Sequence, residues 1–266
     1  MALAAGCAHA PKGVGSGAGA RASFLASCAA PHGPTRGVAP ISLERSDGSH
    51  GSARVRWAAN AESLVLFGYV GPARALNASL LEDSLFVVIP RFDLGVSGSL
   101  RDEGGEVGAR LLRFLATPWD FSAPWTRSAV EHASVEETGR GWLLAGAFGR
   151  LEQPRQELLF TLEIGPSGEP IRLALRKEKE KTDLLSVRYG PIHRFDAGRI
   201  PSWSEWKLPG STVRLTIEDY APADPDKIRY APTLDPEWRI RSLNTPEGRA
   251  LVRWLLGLSE EEESGR

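Results

Sequence analysis

The stretch LLSVRYGPIHRFDAGRIPSWSEWKLPGSTVRLTIEDY, residues 184–220, decides how the chain is read. Tyr189-Gly190-Pro191 closes a short strand: glycine adopts angles that other residues avoid, and proline removes a ladder donor. A Trp-Pro-Gly corner follows, from Trp206 to Pro209 and Gly210. Thr212 to Ile217 then alternates with period two, which predicts a strand with Val213, Leu215 and Ile217 on one face. Nothing in the stretch is arranged for bond making. It predicts packing and docking.

Further strands are predicted on both sides. Leu64–Val70 and Glu157–Ile164 are rich in β-branched and aromatic residues, and Ile171–Arg176 pairs with the latter across Gly165–Gly168. Ser84–Ile89 is a continuous apolar run stopped by Pro90, the pattern of a central strand. Arg176–Lys181 predicts a solvated hairpin tip, and Asn77-Ala-Ser79 a surface loop carrying a glycosylation sequon. Residues 127–137 and 141–150 fit a helix as well as a strand. Helical spacing predicts an amphipathic helix over 106–116, and Asn244-Thr-Pro-Glu247 opens a second whose apolar face is Ala250, Leu251, Trp254 and Leu255.

The amino terminus is read as a leader. Met1 to Cys7 resembles the end of a bacterial lipoprotein signal, with a small-residue box before a cysteine, so Cys7 is the expected lipidation site and Cys28 a weaker one. Ala8 to Ser52 is rich in Gly, Ala, Ser and Pro and predicts a flexible tether. Its GVGSGAG run is not read as a phosphate cradle, since no strand before it or helix after it is predicted. The organisation expected is a leader over 1–52, a β-rich part with short helices over 53–150, a β-rich domain closed by a helix over 151–258, and an acidic tail over 259–266. The fold class is mainly β, sandwich-like, with accessory helices.

Chemistry is sparse. With 32 basic and 33 acidic residues the net charge is −1, which argues against nucleic acid as a partner. There is no G-x-S-x-G, H-E-x-x-H, P-loop or paired C-x-x-C. Glu131 and His132 are adjacent and so point apart. His193, Arg194 and Asp196 form a local polar cluster. Asp224, Asp226 and Asp235 fall at EF-hand spacing, but Arg229 occupies the glycine position. No catalytic residue, metal or cofactor is indicated. What stands out instead is a docking or stacking surface: Trp119, Trp125, Tyr189, Pro191, Trp203, Trp206, Pro209 and Gly210.

The order of motifs resembles the carboxy-terminal periplasmic region of the IcmF/TssM family of type VI secretion systems. The stretches that carry it are Leu111–Phe114, Leu159–Leu162, Arg188–Pro191, Trp206–Gly210, Val213–Thr216 and Gly248–Leu256. Lys207-Leu208 interrupts the family's W-P-G, and Arg249 stands where an aromatic is usual. The resemblance implies a non-catalytic docking domain in the bacterial envelope, periplasmic and lipid-anchored at most, whose partners include an outer-membrane lipoprotein. The alternative is a carbohydrate-binding β-sandwich that stacks sugars on Trp119, Trp125, Trp203 and Trp206.

Overall fold

The computed structural model describes residues 17–27, 34–60, 63–81, 84–99, 117, 119, 124–152, 155–224, 239–243 and 245–247. Within them the chain is mainly β, as expected. An antiparallel meander runs through β1 (Thr35–Arg45), β2 (His50–Ala59), β3 (Ser63–Val70), β4 (Ala73–Leu81), β5 (Ser84–Ile89) and β6 (Leu94–Ser99). A second comprises β7 (Ser134–Thr138), β8 (Gly141–Glu152), β9 (Arg155–Ile164), β10 (Pro170–Lys177) and β11 (Leu185–Tyr189). After the small hairpin β12 (Ile192–Phe195) and β13 (Gly198–Pro201), β14 (Trp203–Leu208) pairs with β11, and β15 (Ser211–Thr216) joins β14 to β1. β16 (Asp219–Pro222) also pairs with β1, and β17 (Arg239–Ser242) lies parallel to β6.

Among the described residues the result is one 15-stranded sheet, ordered β17-β6-β5-β4-β3-β2-β1-β15-β14-β11-β10-β9-β8-β7, with β16 beside β1 off this path. Where a sandwich has two facing sheets, this chain has a single long one. It also joins the parts expected at 53–150 and 151–258, because β8 and β9 pair directly across that boundary.

The tether reading is corrected. Helix α1 (Gly17–Ser27) starts inside the glycine-rich run, and residues 35–45 form β1, hydrogen-bonded to β2, β15 and β16. Its first inward side chains are small: Gly37 and Ala39 are buried, ahead of Ile41 and Leu43 on the same face. Low hydrophobicity over its first half made this strand look like linker. The ambiguous segments resolve into helix α2 (Pro124–Glu131), β7 and β8. Asn77 is not in an exposed loop: it lies on β4, is 6% exposed, and packs on the outer face beside the buried Val65, Ser79 and Val88. Among the described residues its Oδ1 has no hydrogen-bond partner. The helices expected over 106–116 and after Pro246–Glu247, and Asp226 and Asp235, lie outside the described residues.

Register places one side-chain set on a common face. Trp57 opposes Gly37 and Leu66, Leu66 opposes Ala78, and Ala78 opposes Val87. The same face continues through Leu215 and Trp206 to Val187, Leu173, Leu162 and Leu144. Period-two alternation thus lines the whole sheet with apolar groups on its inner side. At the β7–β9 end, α1 and α2 cover that side: Phe24 is fully buried, Val130 is 2% exposed, and Gly146 lets Ala133 approach closely. Among the described residues no helix covers β1–β5 in this way.

Candidate functional site

Over β1–β5, β14 and β15 the inner face encloses a cavity of about 510 Å³. Ile41 and Leu43 from β1 and Ala53, Val55 and Trp57 from β2 form its floor. Leu64 and Leu66 of β3, Leu76, Ala78 and Leu80 of β4, and Leu85 and Val87 of β5 form one wall. Trp206 and Leu208 of β14, with Val213 and Leu215 of β15, form the other. Seven neighbouring strands contribute, so the sheet must curl around the space. Small inward residues make room for it: Ala53, Gly68, Ala75 and Ala78 stand where bulkier side chains would fill it.

The cavity has a closed end and an open one. At the closed end Trp57 lies over Gly37, where a Cβ would come 2.0 Å from the ring, and packs against buried Trp119 at 5.3 Å between centroids. At the other end the lining reaches exposed Arg45, Gly51 and Ser52 on the β1–β2 turn. From Trp57 to Gly51 β2 advances six residues, about 20 Å at strand rise.

Charge and hydrogen-bonding groups are few inside. Among the described residues Arg45 is the only charged one of the lining. Among the described residues, the indole nitrogens of Trp57 and Trp206 are buried without a hydrogen-bond partner. Each is a donor left unsatisfied, at a cost of about 1–3 kcal/mol. Such a site can bind an apolar chain and offer a donor or two to an oxygen. It holds no acid–base pair.

The residues singled out from sequence are dispersed. Trp206 lines the cavity, and Trp119 reaches it only through Trp57. Tyr189 is buried, at the end of β11. Trp203 is half-buried, pressed on Gly190 and capped by the Arg214 guanidinium at 4.6 Å. Pro191 is exposed, and Pro209 and Gly210 form the tight β14–β15 turn, with Gly210 at φ +72°. Trp125 begins α2 in its backbone. Cys7 lies outside the described residues. The set therefore does not make one exposed platform.

His132 Nδ1 lies 2.8 Å from the Ser128 carbonyl, while Glu131 pairs with Arg127 at 3.0 Å, so the two neighbours do face apart. His193 stacks edge-on against Phe195, which stacks against Tyr220. Among the described residues, no group of three or more His, Cys, Asp or Glu is placed to hold a metal. None of their helices is long and apolar enough to cross a membrane.

The arrangement of strands superposes on known structures. The fold is similar to that of several solved structures. A LolA superfamily protein from Nitrosomonas europaea superposes with a TM-score of 0.52 at 13% identity, over 80% of this chain and 97% of that one. A DUF1329 family protein from Desulfovibrio piger gives 0.54 at 9% identity, over 81% and 99%. A domain from Vibrio parahaemolyticus assigned to outer-membrane lipoprotein sorting gives 0.53 at 9%, over 82% and 97%. No protein-family model and no curated protein matches the sequence.

Sequence reasoning missed the cavity itself. Its signal was present: in β3, β4 and β2 the inward positions mix leucine with Gly68, Ala78 and Ala53, a face too small to fill its own interior.

Proposed function

We propose that this protein binds the acyl chain of a lipid, or of a lipid-modified protein, in the cavity over β1–β5, as a non-catalytic carrier of the bacterial envelope. The observation that carries the reading is the cavity's shape and lining. It is about 20 Å long and apolar except at one end. An acyl chain spans half of a bilayer's hydrocarbon core, about 15 Å. Ten buried methylenes would contribute about 8 kcal/mol before ordering costs are subtracted. Binding on that scale is reversible, as a carrier requires.

The fold likeness supports this reading, since one of the similar structures is assigned to lipoprotein sorting. The docking role implied by the IcmF/TssM resemblance, and the stacking of sugars, both call for exposed aromatics. They draw less support here, because Trp119, Tyr189 and Trp206 are turned inward. The test is titration with cis-parinaric acid, a fluorescent fatty acid. Saturable binding at one site, displaced by palmitate and not by polysaccharide, is expected. Failure of the probe to bind, with saturable binding of a polysaccharide, would replace this reading by the second.

A further inference from the structure

The edge of the sheet at which the cavity opens carries a distinctive surface. Four connections meet there: the β1–β2 turn, the β3–β4 turn, the 3-10 turn Pro90–Phe92 after β5, and the β14–β15 turn. Ser46 N–H donates to the Gly210 carbonyl at 2.9 Å, tying the first turn to the last.

Only three large hydrophobic side chains among the described residues are exposed: Val70 at 56%, Phe92 at 51% and Ile171 at 40%. Two of the three stand on this edge. Single exposed apolar residues need no explanation, but two at the opening of an apolar cavity do. Around them are exposed Arg45, Arg74, Arg91, Lys207 and Arg239, against Glu44, Asp47 and Asp93. Arg74 rests on the Phe67 ring at 4.9 Å, and among the described residues neither it nor Arg91 makes an ion pair. Cations with apolar tips are the composition that settles on an anionic lipid surface, where the heads meet phosphates and the tips reach the acyl boundary.

We infer that this edge is a membrane-docking surface, which seats on an anionic phospholipid bilayer with the cavity opening facing the lipid. It rests on the acyl-binding reading for its purpose, because the occupant would then pass between bilayer and cavity without crossing water. The contact is weak and reversible: two apolar tips anchor little alone, and each cation near the surface adds about fivefold in partitioning.

The test is co-sedimentation of the full chain with vesicles of phosphatidylcholine, with or without phosphatidylglycerol. The phosphatidylglycerol vesicles should bind at least about tenfold tighter at low salt, and salt should release the protein. Both V70D/F92D and R74E/R91E should abolish binding, whereas I171D, which adds a single negative charge at the third exposed apolar residue, should not. Every substituted residue is exposed, and cis-parinaric acid titration in solution checks that each variant keeps its cavity. Vesicle binding that is absent, indifferent to phosphatidylglycerol, or lowered equally by I171D overturns the inference. Probe binding without vesicle binding would reject the docking surface alone. Vesicle binding without probe binding would reject the carrier reading and leave the surface standing.

Discussion

The indole of Trp57 lies directly over Gly37, its partner on the neighbouring strand, with no space for a Cβ between them. This contact seals the closed end of the cavity and fixes how β1, the strand that sequence alone read as linker, docks on β2. Glycine is required here by close approach rather than by its angles.

Gly37→Ala would force Trp57 off its seat, since the nearest ring atom is 2.0 Å from the new carbon and belongs to a buried side chain. Overpacking of this kind costs about 1–3 kcal/mol. Urea unfolding should show a lower midpoint with an unchanged slope, and Gly51→Ala, where nothing is within 4 Å, should change neither.

Filling the cavity should remove binding without removing the fold. Ala78 is half-buried, faces the hollow from β4, and has Leu66 and Val87 as cross-strand neighbours. Ala78→Trp would place an indole in the path of an acyl chain. Fluorescent fatty acid titration should lose saturation while far-UV circular dichroism stays that of the parent.

Among the described residues the buried indole N–H of Trp206 has no partner. If an acyl ester or carboxyl oxygen accepts from it, Trp206→Phe keeps the apolar wall and loses the bond. Affinity should fall about fivefold, the value of one net hydrogen bond near 1 kcal/mol. Equal affinities for parent and variant would mean that the donor is not used.

The β1–β2 turn carries a pH-sensitive contact. The Ser49 hydroxyl and amide hold the Asp47 carboxyl below its usual value, the amide at 2.8 Å, with Arg45 adding to the effect. A depressed folded-state value means the contact contributes above the unfolded carboxylate range and is lost as pH falls through the folded one. An NMR titration should place Asp47 lower than a free aspartate, and Ser49→Ala should raise it. Asp47 is exposed, so global stability should barely change.

Strands whose two faces differ clearly were legible in the sequence. Ser84–Ile89 matches β5 in full, Leu64–Val70 falls within β3, and Glu157–Ile164 within β9. The turns at Tyr189-Gly190-Pro191 and Pro209-Gly210 lie where the glycine and proline pattern put them. What failed has three causes. A face that surrounds a hollow uses small residues, so β1, with Gly37 and Ala39 inward, lost its apolar signal. β8 erred the other way: Leu143, Ala145 and Ala147 on the outer side blurred its period against the inward Leu144 and Phe148. Tryptophans were assigned to a surface because indoles between prolines resemble stacking platforms. Burial of Trp57, Trp119 and Trp206 depends on curvature, which no local pattern encodes.

The most direct test follows methyl resonances while a fatty acid carrying a nitroxide near its terminal methyl is added. The account predicts selective broadening of the Leu66, Leu76 and Val213 methyls, reversed by excess palmitate, with Val65 on the outer face less affected. Broadening centred on Val65 and Val88, or none at saturating fatty acid, would contradict an acyl-binding cavity.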